Sequence, residues 1–205
     1  MKKHYQNIVI GAGSGGMTVA IGLSSLGKEV ALIEGLHIGG DCTNVGCVPS
    51  KVLIHLAKNF KDGTNPDEVL SEVIRKRDNL RDKETEEVKE IENLIFIEGM
   101  AKFTAPKTLA VTNDAGETTE YTADNIVIST GARPRQLKID GLPDERYLTN
   151  IELFDLANTP KHIAIIGAGV IALEMAFALQ KIGTKVTMLA LDKRALMTAI
   201  PEAAE

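Results

Sequence analysis

Cys42 and Cys47, the two cysteines of the chain, both lie in the short segment GGDCTNVGCVPSK, which runs from Gly39 to Lys51. A pair this close can form a structural disulfide, bind a metal ion or cycle as a redox-active dithiol. A structural zinc site needs four ligands, whereas the histidines of this chain are scattered without ligand spacing. We therefore predict no metal site, and a redox pair fits the segment better than a structural disulfide.

The residues after the pair favour a reactive thiol. Pro49 suits the first turn of a helix, so Cys47 is expected beside the N-terminus of that helix, with Lys51 one turn inside. Both the helix dipole and the ammonium group favour the thiolate, which is the nucleophilic form of cysteine.

A second candidate for chemistry is the glycine-rich segment with Gly11, Gly13 and Gly16, which follows an apolar strand and opens a helix. In this context the glycines allow backbone to approach a pyrophosphate, and the helix N-terminus supplies N–H donors. Glu34 ends the next predicted strand, where a carboxylate can bind both hydroxyls of a ribose. Strand, helix and acid together predict a dinucleotide site and not a glycine-rich packing turn.

The same pattern occurs twice, as IVIGAGSGGMTVAIGLSSLGKEVALIE from Ile8 and as AIIGAGVIALEMAFALQKIGTKVTMLA from Ala164. Each copy predicts strand, glycine turn, helix and strand, which is the opening of a βαβ unit. In the second copy Ala190 stands where Glu34 stands in the first, so the ribose carboxylate is missing. Asp192, Lys193 and Arg194 follow, and basic residues without the acid favour NADP, with NAD left open.

The helices and strands that position these residues are predicted from the spacing of apolar residues and from the residues typical of turns. Helices are predicted over 49–60, 66–92 and 170–182, and strands over 94–97, 108–112, 118–122, 126–129 and 163–166, with a turn at 113–116. In the last helix, Ile171, Met175 and Leu179 are expected to form an uncovered apolar stripe. We predict an α/β fold: a Rossmann-type domain with a β-meander over 1–145, then the start of a second Rossmann-type domain over 146–205.

Composition excludes several classes of partner. The net charge is −5 without a block of Lys and Arg, so nucleic acid and anionic membranes are not expected to bind. No apolar run approaches the length of a membrane span, and the glycines near the start argue against a secretory signal. A cytoplasmic location is therefore predicted, where close cysteine pairs are more often catalytic or metal-binding than structural.

The cysteine segment resembles the redox-active signature of the FAD-dependent pyridine nucleotide–disulfide oxidoreductases, which include dihydrolipoyl dehydrogenase, glutathione reductase and mercuric reductase. STGARPR, from Ser129 to Arg135, resembles the segment that closes the flavin domain of this family, and GAGVIALEMA resembles its pyridine nucleotide motif. The resemblance covers essentially the whole chain. It implies FAD in the first repeat, NAD or NADP in the second, a small-molecule disulfide or metal ion as substrate, and a homodimer for the intact enzyme.

The resemblance also implies roles for individual residues. Cys47 would be the sulfur that faces the flavin, Cys42 the thiol that exchanges with substrate, and Lys51 would lie near the flavin, paired with Glu174. The implied FAD-binding residues are Gly11, Gly13, Ser14, Gly15, Gly16, Glu34, Gly40, Asp41, Gly46, Lys51, Ala101, Thr130 and Gly131. The implied nicotinamide-binding residues are Gly167, Gly169, Val170, Ile171 and Ala190.

Three departures from the family pattern qualify this implication, and one of them, Ala190 in place of an acid, is described above. Asp41 stands where most relatives have Thr, which places a carboxylate near the expected pyrophosphate, unless it turns away and caps a helix. The sequence also ends within the second repeat, whereas the family pattern continues with a dimerisation domain that carries a His–Glu pair for proton transfer. The competing hypothesis is a flavin-binding fragment without turnover of its own. A flavin monooxygenase with two dinucleotide sites would not need the cysteine pair.

Overall fold

The computed structural model describes residues 2–61, 63–143, 146–191 and 194–196 of the chain. It divides into two compact units, one of Met1–Gly46 with Arg77–Lys138 and one of Cys47–Lys76 with Ile139–Glu205. Each unit combines two stretches of sequence, whereas the predicted domains, 1–145 and 146–205, are continuous. That domain division stays a prediction.

The first unit is built on a six-stranded sheet in the order β3-β2-β1-β6-β5-β4. Strands β3, β2, β1 and β6 are parallel to one another, and β6, β5 and β4 form an antiparallel meander. The strands are β1 (Lys2–Ile10), β2 (Val30–Glu34), β3 (Leu94–Glu98), β4 (Met100–Ala105), β5 (Thr108–Thr112) and β6 (Thr118–Ile128). Helix α1 (Ser14–Ser25) joins β1 to β2, and α2 (Gly40–Val45) follows β2.

Both faces of the parallel sheet are buried here, which explains why the end of β1, Ile8–Ile10, and β2 up to Ile33 are apolar without alternation. Ile8 and Ile10 of β1 belong to the apolar cluster that also contains Tyr121 of the meander. Val9, between them, packs in the cluster on the opposite face with Ala20 of α1. Because these strands are parallel, their carboxyl ends lie at a single edge of the sheet.

The meander corrects two predictions. β6 is one continuous strand, although Asp124 and Asn125 interrupt the apolar pattern and had suggested two strands over 118–122 and 126–129. Pairing with β1 keeps these polar residues in the strand, because Asn125 lies opposite Asn7 and donates a side-chain hydrogen bond to it at 3.2 Å. Strand β4 was not predicted, whereas the turn over 113–116 is confirmed by a hydrogen bond from Gly116 N–H to Asn113 O.

The second unit contains a two-stranded parallel sheet of β7 (His162–Ile166) and β8 (Lys185–Leu189), joined by α6 (Val170–Lys181). Its other helices are α3 (Cys47–Lys58), the N-terminal part of α4 (Pro66–Lys89) and α5 (Asn150–Leu153). None of the helices in the described ranges is both long enough and apolar enough to cross a membrane.

The expected uncovered stripe on α6 is wrong for two of its three residues. Met175 and Leu179 are buried, because α3 and the start of α4 cover that face with Leu53, Val73 and their apolar neighbours. Ile171 is exposed as predicted, and Val170 and Phe177 are exposed with it. Helix α6 therefore buries one face against helices that precede it in sequence, and leaves a different apolar face open.

Candidate functional site

The first glycine turn is fixed by backbone packing within the first unit. Gly11 has φ +98°, and a Cβ added there would lie 2.3 Å from Ser129 O, at the end of β6. A Cβ on Gly16 would lie 1.8 Å from Gly11 O, because the first turn of α1 rests directly on the strand end. Neither position can accommodate a larger residue. The two glycines therefore let β1 pass closely into α1, whose N-cap is Gly13.

Glu34 lies beside this turn, at the end of β2, as predicted. Its Oε2 accepts a hydrogen bond from Ala12 N–H at 2.6 Å, and its Oε1 accepts one from Leu36 N–H at 2.7 Å. Sequence reasoning missed these backbone bonds, since neither donor carries a distinguishing side chain. An ionised carboxylate has about four acceptor positions, so two of them stay available to ribose hydroxyls. The backbone bonds hold the carboxylate in place beside the glycine turn.

A second close approach joins the turn to the segment that carries the first cysteine. A Cβ on Gly40 would lie 2.7 Å from Gly13 Cα, and Gly39 N–H donates to Ala12 O at 2.9 Å. On the other side the turn is open: apart from its chain neighbours and the backbone of its own helix, no described atom lies within 4 Å of a Cβ added to Gly15. A side chain at Gly15 would occupy this space. Because glycine leaves it open, the backbone N–H groups at the helix N-terminus stay accessible, as a pyrophosphate site requires.

Except for Lys51, which lies in the second unit, the remaining residues predicted around FAD are distributed along the first unit. Thr130 and Gly131 are exposed directly after β6, at the sheet edge that also holds Gly11. Ala101 lies opposite Val111 in the meander and is half-buried. Asp41 is exposed in the first turn of α2, where the helix dipole stabilises a carboxylate. Ser14 is the first residue of α1, and its carbonyl accepts from the hydroxyl of Thr18.

The second glycine turn repeats the first in its backbone. Gly167 N–H donates to Leu189 O at 2.7 Å, as Gly11 N–H donates to Ile33 O at 2.8 Å. The N-cap of α6, Gly169, has φ −80° and ψ −179°, and Gly13 has φ −76° and ψ −178°. The internal repeat in the sequence is thus a repeat in structure.

The two turns differ in their surroundings. Ala190, exposed after β8, offers no carboxylate in the place of Glu34. A Cβ on Gly167 would meet nothing within 4 Å in the described part of the chain, whereas Gly11 is blocked by Ser129. Val170 and Ile171, predicted to bind the nicotinamide cofactor, are exposed. Asp192 and Lys193, on which the preference for NADP depends, lie outside the described residues.

The cysteines lie at the starts of two successive helices. Cys42 is half-buried in α2, and Cys47 is exposed as the first residue of α3; both are thiols. Cys47 was expected beside the N-terminus of a helix that starts at Pro49; the helix starts two residues earlier, at Cys47 itself, and α2 was not predicted. The available signal was Asn44, whose Nδ2 donates to Ile38 O and Gly40 O. Gly46 ends α2, because a Cβ there would lie 2.7 Å from Asp41 O.

Within the second unit, Lys51 forms the predicted ion pair with Glu174 of α6. Its Nζ lies 2.7 Å from both carboxylate oxygens. The side chains are 61% and 32% exposed, respectively. Lys51 follows Cys47 by one helical turn, so the two residues share one face of α3.

Replacing Lys51 with Met is expected to lower the free energy of unfolding by less than about 1 kcal/mol, because exposed ion pairs contribute little to stability. Urea denaturation followed by circular dichroism measures this, with Lys58→Met in the last turn of the same helix as the control. A loss well above that of the control would contradict a mainly functional role for the pair.

The chain matches the family described as "Pyridine nucleotide-disulphide oxidoreductase" over residues 5–205. It is 37% identical over 203 residues to a mercuric reductase of Shewanella putrefaciens, covering 89% of this chain and 36% of that protein. It is 32% identical over 204 residues to dihydrolipoyl dehydrogenase 3 of Pseudomonas aeruginosa, covering 92% of this chain and 44% of the relative.

A solved structure shows the same fold. The Cu(II) complex of the HOCl-induced flavoprotein disulfide reductase RclA from Escherichia coli superposes with a TM-score of 0.83 at 30% identity. That match covers 98% of this chain and 45% of the other. The chain therefore spans less than half the length of each of these three relatives.

Proposed function

Because the chain belongs to the pyridine nucleotide-disulphide oxidoreductase family, whose members are FAD-dependent and use pyridine nucleotides, we propose that it carries the flavin site and the redox cysteines of an NAD(P)H-dependent disulfide oxidoreductase. The observation that carries the proposal is the cradle of the first unit. There the open helix N-terminus beside Gly15 and the backbone-anchored carboxylate of Glu34 offer partners for a pyrophosphate and a ribose.

The cradle's proposed task is to bind and orient the dinucleotide. N–H groups at the start of α1 would donate to the pyrophosphate, and Glu34 would accept hydrogen bonds from the ribose hydroxyls. Bound FAD would supply two-electron exchange between a nicotinamide and a disulfide. The second glycine turn, with Gly167 and Gly169, would bind the pyrophosphate of NAD or NADP in the same way.

The cysteines are proposed to cycle between a disulfide and two thiols. Reduction breaks the Cys42–Cys47 bond and consumes two electrons and two protons. With a disulfide substrate, the Cys42 thiolate attacks one substrate sulfur and releases the other half as a thiol. Cys47 then attacks Cys42, restoring the protein disulfide and releasing the second thiol. Because one relative is a mercuric reductase, we propose a soft metal ion as the alternative class of substrate. Both thiolates would bind it.

Lys51 and Glu174 are proposed to support Cys47. Lys51 lies one turn into α3 on the face that carries Cys47, and its ammonium group would pair with a negative charge formed there. Glu174 holds that ammonium group through both carboxylate oxygens. A homodimer and a cytoplasmic location, both predicted from the sequence, are proposed for the intact enzyme.

FAD binding is tested on the purified chain. It is expected to take up FAD, turn yellow, and release FAD and not FMN on denaturation, because the cradle is shaped for a dinucleotide. Absorbance after gel filtration measures the bound flavin. A chain that stays colourless after incubation with excess FAD would overturn the proposed cofactor site.

The two cysteines are expected to behave unequally in the intact enzyme. Cys42→Ser leaves Cys47 as a free sulfur beside oxidised flavin, so this variant should show the long-wavelength absorption without any reduction, whereas Cys47→Ser should lack it. Absorption spectra of both variants with oxidised flavin, and of the wild-type enzyme after reduction of its disulfide by one equivalent of NADPH, give the comparison. Identical spectra for the two variants would show that the roles are assigned wrongly.

A second candidate function is flavin binding without turnover, and the exposed surface of the second unit favours it for this chain. Ile166, Val170, Ile171 and Leu189 surround the second glycine turn and are all exposed. A nicotinamide at so open a turn would not be held at reacting distance. Assays with NADH or NADPH and lipoamide, oxidised glutathione or Hg(II) separate the two functions, since turnover above that of free FAD would exclude this candidate.

A further inference from the structure

Thr43, the residue after Cys42, makes a contact that the proposed reaction does not use. It is buried, with 4% of its surface exposed, and its Oγ1 donates a hydrogen bond to Glu84 Oε2 at 3.0 Å. Glu84 lies in the C-terminal part of α4, within the first unit. The bond thus ties the cysteine-bearing helix α2 to a helix far away in sequence.

The carboxylate of Glu84 also packs against the start of α2. A Cβ on Gly39, the N-cap of α2, would lie 2.6 Å from Glu84 Oε2 and 2.3 Å from Thr43 Oγ1. The glycine at this position, with φ +85°, therefore makes room for the contact. An anion at a helix N-terminus is also stabilised by the helix dipole. Glu84 combines a hydrogen bond, close packing and a favourable charge at one end of α2.

A helix of this length depends on such contacts. Isolated helices shorter than about 12 residues are marginal in water, and α2 has six. Asn44 ties the helix to its own start, and Gly40 packs on the glycine turn at Gly13. The bond from Thr43 to Glu84 adds an anchor outside this local segment, at the residue that follows Cys42 in the sequence.

We propose that Glu84, acting through Thr43, is a positioning residue for Cys42. The anchor restricts the orientations of α2 and thereby the position of the Cys42 side chain that this helix carries. The inference rests on the proposed function, because it assumes that the two cysteines form a redox couple. It adds a residue of α4 to the machinery of that couple.

The test measures the cysteine couple itself, without flavin or nicotinamide. The full chain is equilibrated with mixtures of reduced and oxidised glutathione; each oxidised glutathione that forms the Cys42–Cys47 disulfide is converted to two glutathione thiols. Free thiols are alkylated, and mass spectrometry gives the equilibrium constant. Thr43→Val, which keeps the shape of the side chain and removes the hydroxyl, is expected to lower this constant about tenfold. Glu84→Gln, which keeps an acceptor and removes the charge, is expected to lower it about threefold.

Matched variants distinguish an effect on the position of Cys42 from a general loss of stability. Thr43→Ser retains the hydroxyl and should restore the wild-type constant. Thr85→Val removes the hydroxyl that bonds to Arg81 O within α4, and Glu86→Gln removes an exposed charge of the same helix; both should leave the constant unchanged. Circular dichroism confirms that each variant is folded at the temperature of the measurement.

The outcomes distinguish this inference from the proposed function. If the wild-type chain forms no Cys42–Cys47 disulfide at any glutathione ratio, both are overturned. If the disulfide forms but Thr43→Val and Glu84→Gln shift its equilibrium no more than Thr85→Val and Glu86→Gln do, the positioning role alone is overturned. A reduced constant in both variants, restored by Thr43→Ser, supports it.

Discussion

Gly16→Ala is expected to abolish FAD uptake and to destabilise the first unit by about 3 kcal/mol, the upper end of the usual cost of overpacking. The added methyl group would lie 1.8 Å from Gly11 O, and relief requires α1 to move away from β1. That movement displaces the helix N-terminus that we propose as the pyrophosphate site. Urea denaturation and the absorbance of bound FAD measure the two effects.

Gly22→Ala is the matched control, since it makes the same substitution in the same helix. No described residue approaches within 4 Å of a Cβ at Gly22, which is exposed. Alanine in a helix interior is more stable than glycine by about 0.5–1 kcal/mol, so this variant should be slightly stabilised and retain FAD. Normal flavin binding by Gly16→Ala would show that the close packing of α1 on β1 is not needed for the cofactor site.

Leu179→Ala is expected to lower the free energy of unfolding of the second unit by about 2–5 kcal/mol. Leu179 is 0% exposed in the cluster formed with α3 and the start of α4, and truncation would leave a cavity there. Phe177 is on the same helix and is 72% exposed, so Phe177→Ala should change stability by no more than about 0.5 kcal/mol. Hydrogen exchange of the α6 amides reports the stability of this unit.

One result would contradict the assignment of the buried and exposed faces of α6. If Phe177→Ala destabilises α6 as much as Leu179→Ala does, the apolar face that contains Phe177 is covered in solution. The packing of α6 against α3 would then not be its main source of stability.

The sequence by itself determined the local structure around each glycine turn and the identity of the chemical groups. Glycines that alone tolerate positive φ or close backbone contact, such as Gly11, mark where a strand enters a helix. The repeat of that pattern predicted two turns with the same backbone path, and the structure has both. The pairing of Lys51 with Glu174 was available from the family resemblance. The glycine turns are encoded within short segments. The ion pair could be predicted because the two motifs are specific enough to identify the family, and with it the residue that pairs with Lys51.

The tertiary structure alone decided which faces are covered and which distant residues meet. Periodicity predicted an apolar stripe on α6 that contains Leu179, but only the positions of α3 and α4 determine that Leu179 is buried and Phe177 exposed. Pairing with β1 carries β6 through Asp124 and Asn125, and α4 brings Glu84 to Thr43. Each of these contacts joins residues far apart in sequence, and its free energy depends on a geometry that neither segment possesses before the chain has folded.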